Sequence, residues 1–274
     1  MAKERLDLLL VERGLCASRS LAQKLIMAGS VRVDGEPRYK SSEMIGQAAV
    51  ITLDAGPRFV SRGGEKLQAA LDAFNPPVAG KISADVGAST GGFTDCLLQA
   101  GAARVYAIDV GYGQIALKLR NDERVVLLER TNARFVEKLP EPIDLIVIDA
   151  SFISLRILLP VVLDWFDQRG GSIIALVKPQ FEAGQKTAGR GRGVILDESV
   201  HQEVVRGILE FSATLGLNPT GLIYSPLTGP KGNHEFLVQL ETNAKNAVDI
   251  PQLLAECFAQ PLATPSNPGP CRLG

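Results

Sequence analysis

The chain has 274 residues, of which 46% are hydrophobic and 22% charged, and a formal net charge of −1. That composition fits a globular protein with one large core and room for a smaller one. It excludes a chain-wide basic coat for nucleic acid, so any RNA binding must come from local patches. Four scattered cysteines (16, 96, 257, 271), none at C-x-x-C spacing, and only two histidines (201, 234) argue against a zinc site and fit a reducing cytosol. The segment MAKERLDLLLVERG flanks a short apolar run with charge. It reads as neither a secretory signal nor a membrane span, and no other apolar run reaches spanning length.

In chain order, Leu6, Leu9 and Leu10 fall at helical spacing over 5–13, with Gly14 as the stop. Ser18 is the expected N-cap of a second helix, ended by Gly29. In VRVDGEPRY the Asp34-Gly35 pair signals a hairpin, and AAVITL adds a strand. Residues 1–62 carry ten Lys+Arg and seven Asp+Glu, a balance of +3 against −4 for the remainder. A small basic α+β unit over 1–60 is expected, followed by a linker at 56–63. As it stands, this unit is either an RNA grip or a structural cap.

From 61 to 241 strand and helix patterns alternate. Strands are expected near 82–86, 104–109, 125–128, 143–149, 172–178, 220–224 and 235–240. Helices are expected at 64–73, 92–100, 113–120, 154–166 and 199–215. Such alternation implies a mainly parallel seven-stranded sheet covered on both faces, an α/β fold of the Rossmann type. From 242 to 274 the pattern is lost, and a Pro-, Gly- and Ser-rich ending predicts a disordered tail.

The chemistry-bearing residues lie at strand ends. The first large-domain strand runs into Asp85-Val86-Gly87-Ala88-Ser89-Thr90-Gly91-Gly92-Phe93. A glycine-rich turn there lets a ligand approach the backbone, and its spacing is not the G-x-G-x-x-G of pyrophosphate sites. Asp109, with Val110 after it, ends the second strand, where an acid can accept from two ribose hydroxyls. A nicotinamide dinucleotide site would use the same acid, and a strand-end turn residue is the plainer alternative. Asp149 and Lys178 follow the apolar runs LIVI and SIIALV at positions that line α/β active sites. Lys66 lies in SRGGEKL and Glu235 in GPKGNHEFLVQL. Read alone, Lys66 is a solvated helix lysine.

The order Lys66-Asp149-Lys178-Glu235 resembles the tetrad of FtsJ-type ribose 2′-O-methyltransferases. With RLDLLLVERGLCASRSLAQKLIMAGSVRVDG, which matches the S4 RNA-binding pattern, the chain over 1 to about 241 is similar to the TlyA (hemolysin A) family of rRNA methyltransferases. The resemblance implies S-adenosyl-L-methionine bound by the 85–93 loop, Asp109, Val110, Asn132 and Asp149, and no metal. It implies Lys178 as the base or hydroxyl-activating residue and Asp149 as its orienting partner. Lys66 and Glu235 would position the ribose. It further implies rRNA or ribosomal subunits as partner, a cytidine target and a cytoplasmic location. Arg5, Arg19, Lys24, Lys40 and Arg62, with Lys186, Arg190 and Arg192 of a glycine-rich loop, are the candidate RNA contacts. The first motif departs from SRAAFKL of FtsJ itself, which leaves the substrate open. Two other readings are a non-catalytic RNA-binding or ribosome-assembly factor and a hemolysin-like protein, the latter disfavoured by the lack of an apolar or amphipathic membrane segment.

Overall fold

The computed structural model describes residues 3–54, 56–183, 194–229, 231–243 and 249–259. Its contacts divide into two units that meet in sequence between Arg58 and Phe59. In the first unit, β1 (Lys3–Arg5) leads directly into α1 (Leu6–Glu12), followed by α2 (Arg19–Met27). Ser18 caps α2, its Oγ accepting from the Leu21 amide. β2 (Val31–Val33) and β3 (Glu36–Arg38) form the expected hairpin, with Asp34 and Gly35 at φ of 52° and 86°. Two successive left-handed residues suit the twist of paired strands, which is why Asp-Gly serves here. β5 (Ile51–Leu53) pairs with the other edge of β2. The pairing of β1 with β4 (Met44–Gly46) was not foreseen, because three-residue strands of mixed polarity carry no period. Leu6, Leu9, Leu10, Ala22, Ile26, Val31 and Val33 close a small core.

The second unit opens at Phe59, which is buried and packs against Gly64, where any Cβ would overlap the ring. The Val60 amide donates to Asp95, and α3 (Gly63–Phe74) starts at once. The stretch 59–63, expected as linker, thus belongs to the packed unit; a single Phe-Val pair between Arg58 and Ser61-Arg62 is too short to carry a period. The strands are β6 (Ile82–Val86), β7 (Arg104–Ile108), β8 (Val125–Leu128), β9 (Leu145–Ile148), β10 (Ser172–Val177), β11 (Asn218–Tyr224) and β12 (Phe236–Glu241). They form one sheet in the order β11-β12-β10-β9-β6-β7-β8, parallel except for β12, which runs against both its neighbours.

All four residues of LIVI and the last five of SIIALV are buried, as strands covered on both faces require. One face packs against α3 and α4 (Gly92–Gln99) through Leu67, Ala70, Phe93 and Leu97. The other packs against α6 (Leu155–Leu163) and α8 (Glu198–Thr214) through Leu155, Leu158, Val205 and Ile208. Between them in the chain lie α5 (Leu117–Arg120) and α7 (Pro179–Glu182). The helix expected over 113–120 shrinks to α5, because Gly113 is left-handed and Ala116 extended.

The expectation of a tail without structure from 242 needs a correction. Residues 250–258 form α9 (Ile250–Phe258), whose Leu253, Leu254 and Cys257 join the core beside β11 and α8. The apolar positions 250, 253, 254 and 257 are helical spacing, and Pro251 suits the first turn. Nine residues were too few to stand out against the polar stretch around them. Leu254→Ala should therefore lower unfolding free energy by about 2–4 kcal/mol in urea melts. An unchanged midpoint would mean that this helix is not docked.

Candidate active site

The sheet order places a topological switch point between β6 and β9, since the chain leaves β6 toward β7 and returns on the other side at β9. Ligands of open α/β sheets bind in the crevice at the strand ends there. Two cavities open at this place. One, of about 430 Å³, is lined by Gly87, Ser89, Asp109, Val110, Asn132 and Asp149, among others. The second, of about 320 Å³, is lined by Arg62, Lys66, Ala88, Thr90, Gly92 and Phe93. Gly87, Ser89 and Asp149 border both.

The loop after β6 can sit this close to β9 because residue 87 is glycine. It has φ of 88°, and a Cβ there would stand 2.8 Å from the Asp149 carbonyl oxygen. Asp109 is tied down by its own backbone surroundings. One carboxylate oxygen accepts from the Ser89 amide and the other from the Gly111 amide, both at 2.7 Å. Each oxygen keeps a lone pair for a ligand hydroxyl. Asn132 caps a single 3₁₀ turn (Ala133–Phe135), its Oδ1 accepting from the Arg134 amide, and it lines the larger cavity.

Two residues of the expected cofactor set stand behind this surface. Gly91 borders neither cavity; its missing Cβ faces Ile115 and Leu119 in the core, so its φ of 94° serves the start of α4. Asp85 is fully buried and accepts from Thr94 Oγ1 at 2.6 Å, while its Oδ1 has no partner among the described residues. Burial pushes its carboxyl up to about 7; the Thr94 bond opposes this and the Asp149 charge adds to it.

The four tetrad residues come together as two ion pairs. Lys178 Nζ lies 2.6 Å from Asp149 Oδ1, and Lys66 Nζ 2.5 Å from Glu235 Oε2. Lys178, at the end of β10, and Glu235, just before β12, are buried. Lys178 also donates to Ser151 Oγ at 3.0 Å and to the Ala150 carbonyl at 3.2 Å. Sequence reasoning had no signal for these two partners, since a serine in a loop is unremarkable. It also missed Phe152, which is 90% exposed at the rim of the larger cavity with φ of 64°, its ring 5.0 Å from that of Phe181. His201 is a packed core residue beside Phe236, its Nε2 bonded to the Ile195 carbonyl.

In the N-terminal unit, Arg5 and Arg19 converge on Asp7, at 2.9 and 3.0 Å, and Gln23 donates to the same carboxylate. Asp7 is buried, and these bonds, led by those of Arg5, hold its carboxyl far below the usual range. Both guanidinium groups remain partly exposed. The Asp7 amide donates to the Ser41 carbonyl, which brings exposed Lys40 to the same place. Lys24 is exposed on α2 and Arg62 exposed ahead of α3. Lys186, Arg190 and Arg192 fall outside the described residues.

A seven-stranded sheet of this order, with a glycine turn and a strand-end acid at its switch point, defines a Rossmann-like methyltransferase fold. The FtsJ-like methyltransferase model matches residues 59–242 and the S4 domain model residues 4–51. The chain belongs to the FtsJ-like methyltransferase family and carries an S4 domain at its N-terminal side. The protein YqxC of Bacillus subtilis is 49% identical over 87% of this chain and 85% of its own. The 16S/23S rRNA (cytidine-2′-O)-methyltransferase TlyA of Mycobacterium tuberculosis is 46% identical over 90% of this chain and 92% of its own. A solved structure from Streptococcus thermophilus, provisionally described as a hemolysin, is 40% identical with a TM-score of 0.69, covering 94% of this chain and 97% of that one. Among the described residues no helix is long and apolar enough to cross a membrane.

Asp85 gives this site a pH signature. With its folded pKa raised to about 7, its contribution to stability is complete below the unfolded value near 4 and is lost as pH rises through about 7. Asp85→Asn keeps an acceptor for Thr94 and removes the charge. Urea melts from pH 4 to 8 should show a flatter stability curve for this variant; the parental slope in the variant would exclude Asp85 as the source.

Proposed function

We propose that this protein transfers a methyl group from S-adenosyl-L-methionine to a ribose 2′-hydroxyl of rRNA, at a cytidine. The observation that carries this reading is the pair of lysine–carboxylate contacts at the junction of two cavities, with Asp149 bordering both. A binding module has no use for two lysines held against acids beside a nucleoside-sized cavity. The naming of the M. tuberculosis relative supports the substrate, and the S4 unit supports RNA as partner. The buried thiols of Cys16 and Cys257 suit a reducing cytoplasm, which we assign as the location.

The larger cavity fits the cofactor by its donor set. Asp109 would accept from ribose hydroxyls, the Asn132 amide would face the adenine, and Gly87 keeps the floor free of side chain. When bound, S-adenosyl-L-methionine supplies an electrophilic methyl on a sulfonium. The enzyme must then hold the RNA hydroxyl in line and take its proton. Lys178 is the group for the proton, with Asp149 fixing its Nζ, and a lysine can serve because its ammonium is deprotonable where a guanidinium is not. Lys66 lines the smaller cavity, and Glu235, paired with it, fixes its ammonium to orient the incoming ribose. The N-terminal unit grips RNA through the Arg5, Arg19 and Lys40 cluster, which Asp7 preorganises.

Lys178→Ala should lower single-turnover methylation by about 10²–10⁴-fold with cofactor affinity retained. Lys178→Arg should fail likewise. A near-parental rate for the arginine variant would remove lysine as the base and leave it a positioning role. Asp109→Ala should weaken S-adenosyl-L-methionine in calorimetry by about 10-fold or more, the worth of charge-assisted bonds.

Arg19→Glu should weaken binding to rRNA and reduce the slope of affinity against salt, with cofactor affinity unchanged. RNA affinity equal to that of the parent at all salt concentrations would take the RNA grip away from this cluster.

A further inference from the structure

Lys178 is buried, and it borders neither of the two cavities. Ser151 lies between it and the larger cavity, exposed and part of that cavity's wall, with Oγ 3.0 Å from Nζ. The lysine has three partners here: Asp149 Oδ1 at 2.6 Å, Ser151 Oγ and the Ala150 carbonyl at 3.2 Å. The last two are hydrogen bonds and the first an ion pair, and an ammonium has N–H donors and no acceptor. A carboxylate and a carbonyl can only accept. A hydroxyl can also donate, which makes Ser151 the one partner able to face a neutral amine as well as an ammonium. The turn that presents it is held at a cost, because the next residue, Phe152, keeps a left-handed φ of 64° without being glycine.

We propose that Ser151, two residues beyond the Asp149 that borders both cavities, is a catalytic residue that carries the proton from the substrate's ribose hydroxyl to Lys178, the hydroxyl reaching it where it meets the methyl donor at the edge of the larger cavity. This rests on the methyl-transfer reading above. Lys178 enters the step as the neutral amine. The Ser151 proton passes to Nζ as the ribose O2′ proton passes to Oγ. O2′ bonds to the methyl carbon of the methyl sulfonium donor, the sulfur–methyl bond breaks, and the electron pair stays on sulfur as the thioether. Lys178 ends as the ammonium in the three-acceptor cage seen here, and releases its proton to solvent before the next turnover.

Three variants of the full-length protein test this: Ser151→Ala, Ser151→Thr and Lys178→Ala. In single-turnover methylation at saturating cofactor and rRNA, Ser151→Ala should be slower by about 10²-fold, at the lower end for acid–base catalysis, while Ser151→Thr stays near the parent. Calorimetric cofactor affinity and RNA affinity should be unchanged in both. Mixed H₂O/D₂O rates should curve for the parent, with two protons in flight, and run straight for Ser151→Ala. Without cofactor, the Lys178 ammonium ¹⁵N–H signal should exchange faster in Ser151→Ala and be restored in Ser151→Thr. A Ser151→Ala rate within twofold of the parent overturns the proposal. So does an equal loss in the threonine variant, a loss explained by weaker cofactor or RNA binding, or an unchanged Lys178 signal. If Lys178→Ala is inactive while Ser151→Ala is not, only the relay fails. If Lys178→Ala itself remains active, the proton acceptor of the methyl-transfer reading fails with it.

Discussion

The close approach of Gly87 to the Asp149 carbonyl is what everything around it depends on. It brings the loop after β6 onto the end of β9 at the place where the strand order reverses. Any side chain at 87 would have to push these strand ends apart. Because they stay together, Asp149 stands on the wall of both cavities, one shaped for a nucleoside and the other reaching Lys66. The carboxylate that fixes Lys178 is thereby also the boundary across which a methyl group would pass. In the methyl-transfer reading proposed above, cofactor pocket and substrate pocket would be two sides of one residue, their relative position set by main-chain packing.

Charge is handled differently in the two units. Near the surface of the N-terminal unit one buried carboxylate gathers two arginines, so a single negative charge holds two positive ones in place and leaves an excess of positive charge outward. Such a cluster suits phosphates, which add the missing negative charge. At the strand ends of the second unit the pairing is one to one and largely buried. There the lysines offer no net field to a distant polyanion. They offer fixed donors to a group that has already entered. Long-range attraction and local chemistry are thus separated along the chain, in line with the charge balance of +3 over residues 1–62 against −4 for the remainder.

Much of this was legible in the residue pattern. The runs LIVI and SIIALV each end in one charged residue, and that charge can only sit at the rim of a sheet whose faces are both covered. Asp34-Gly35 announced its hairpin because two left-handed residues in succession have few other uses. What stayed hidden depends on contacts between segments far apart in sequence. Lys66, named through the family resemblance, would read by its own surroundings as a solvated helix lysine, since its partner Glu235 is 169 positions away. Gly91 looked like part of the ligand cradle, because sequence cannot say that its missing Cβ faces Leu119. α9 passed for tail because its nine residues follow a polar stretch and precede a Pro-rich one. The Asp7 cluster was visible only as scattered charges at positions 5, 7 and 19.

The two buried ion pairs are poor candidates for stabilisers. Removing both charges of a pair from water costs several kcal/mol per ion, and replacement by well-packed apolar residues is often neutral or favourable. Four such side chains at one rim, together with Asp85 whose Oδ1 lacks a partner among the described residues, make the strand ends of the second unit a place where folding free energy is given up. The compensating burial lies elsewhere, in the two apolar layers on either face of the sheet. The strain at Ser89 and Phe152, both left-handed without being glycine, falls at the same rim. Unfavourable charge burial, a half-satisfied acid and backbone strain have separate physical origins. Their coincidence within one crevice, and the regularity of the sheet beneath it, argue that the crevice is shaped by what it must hold and do, while the rest of the unit is shaped to keep it folded.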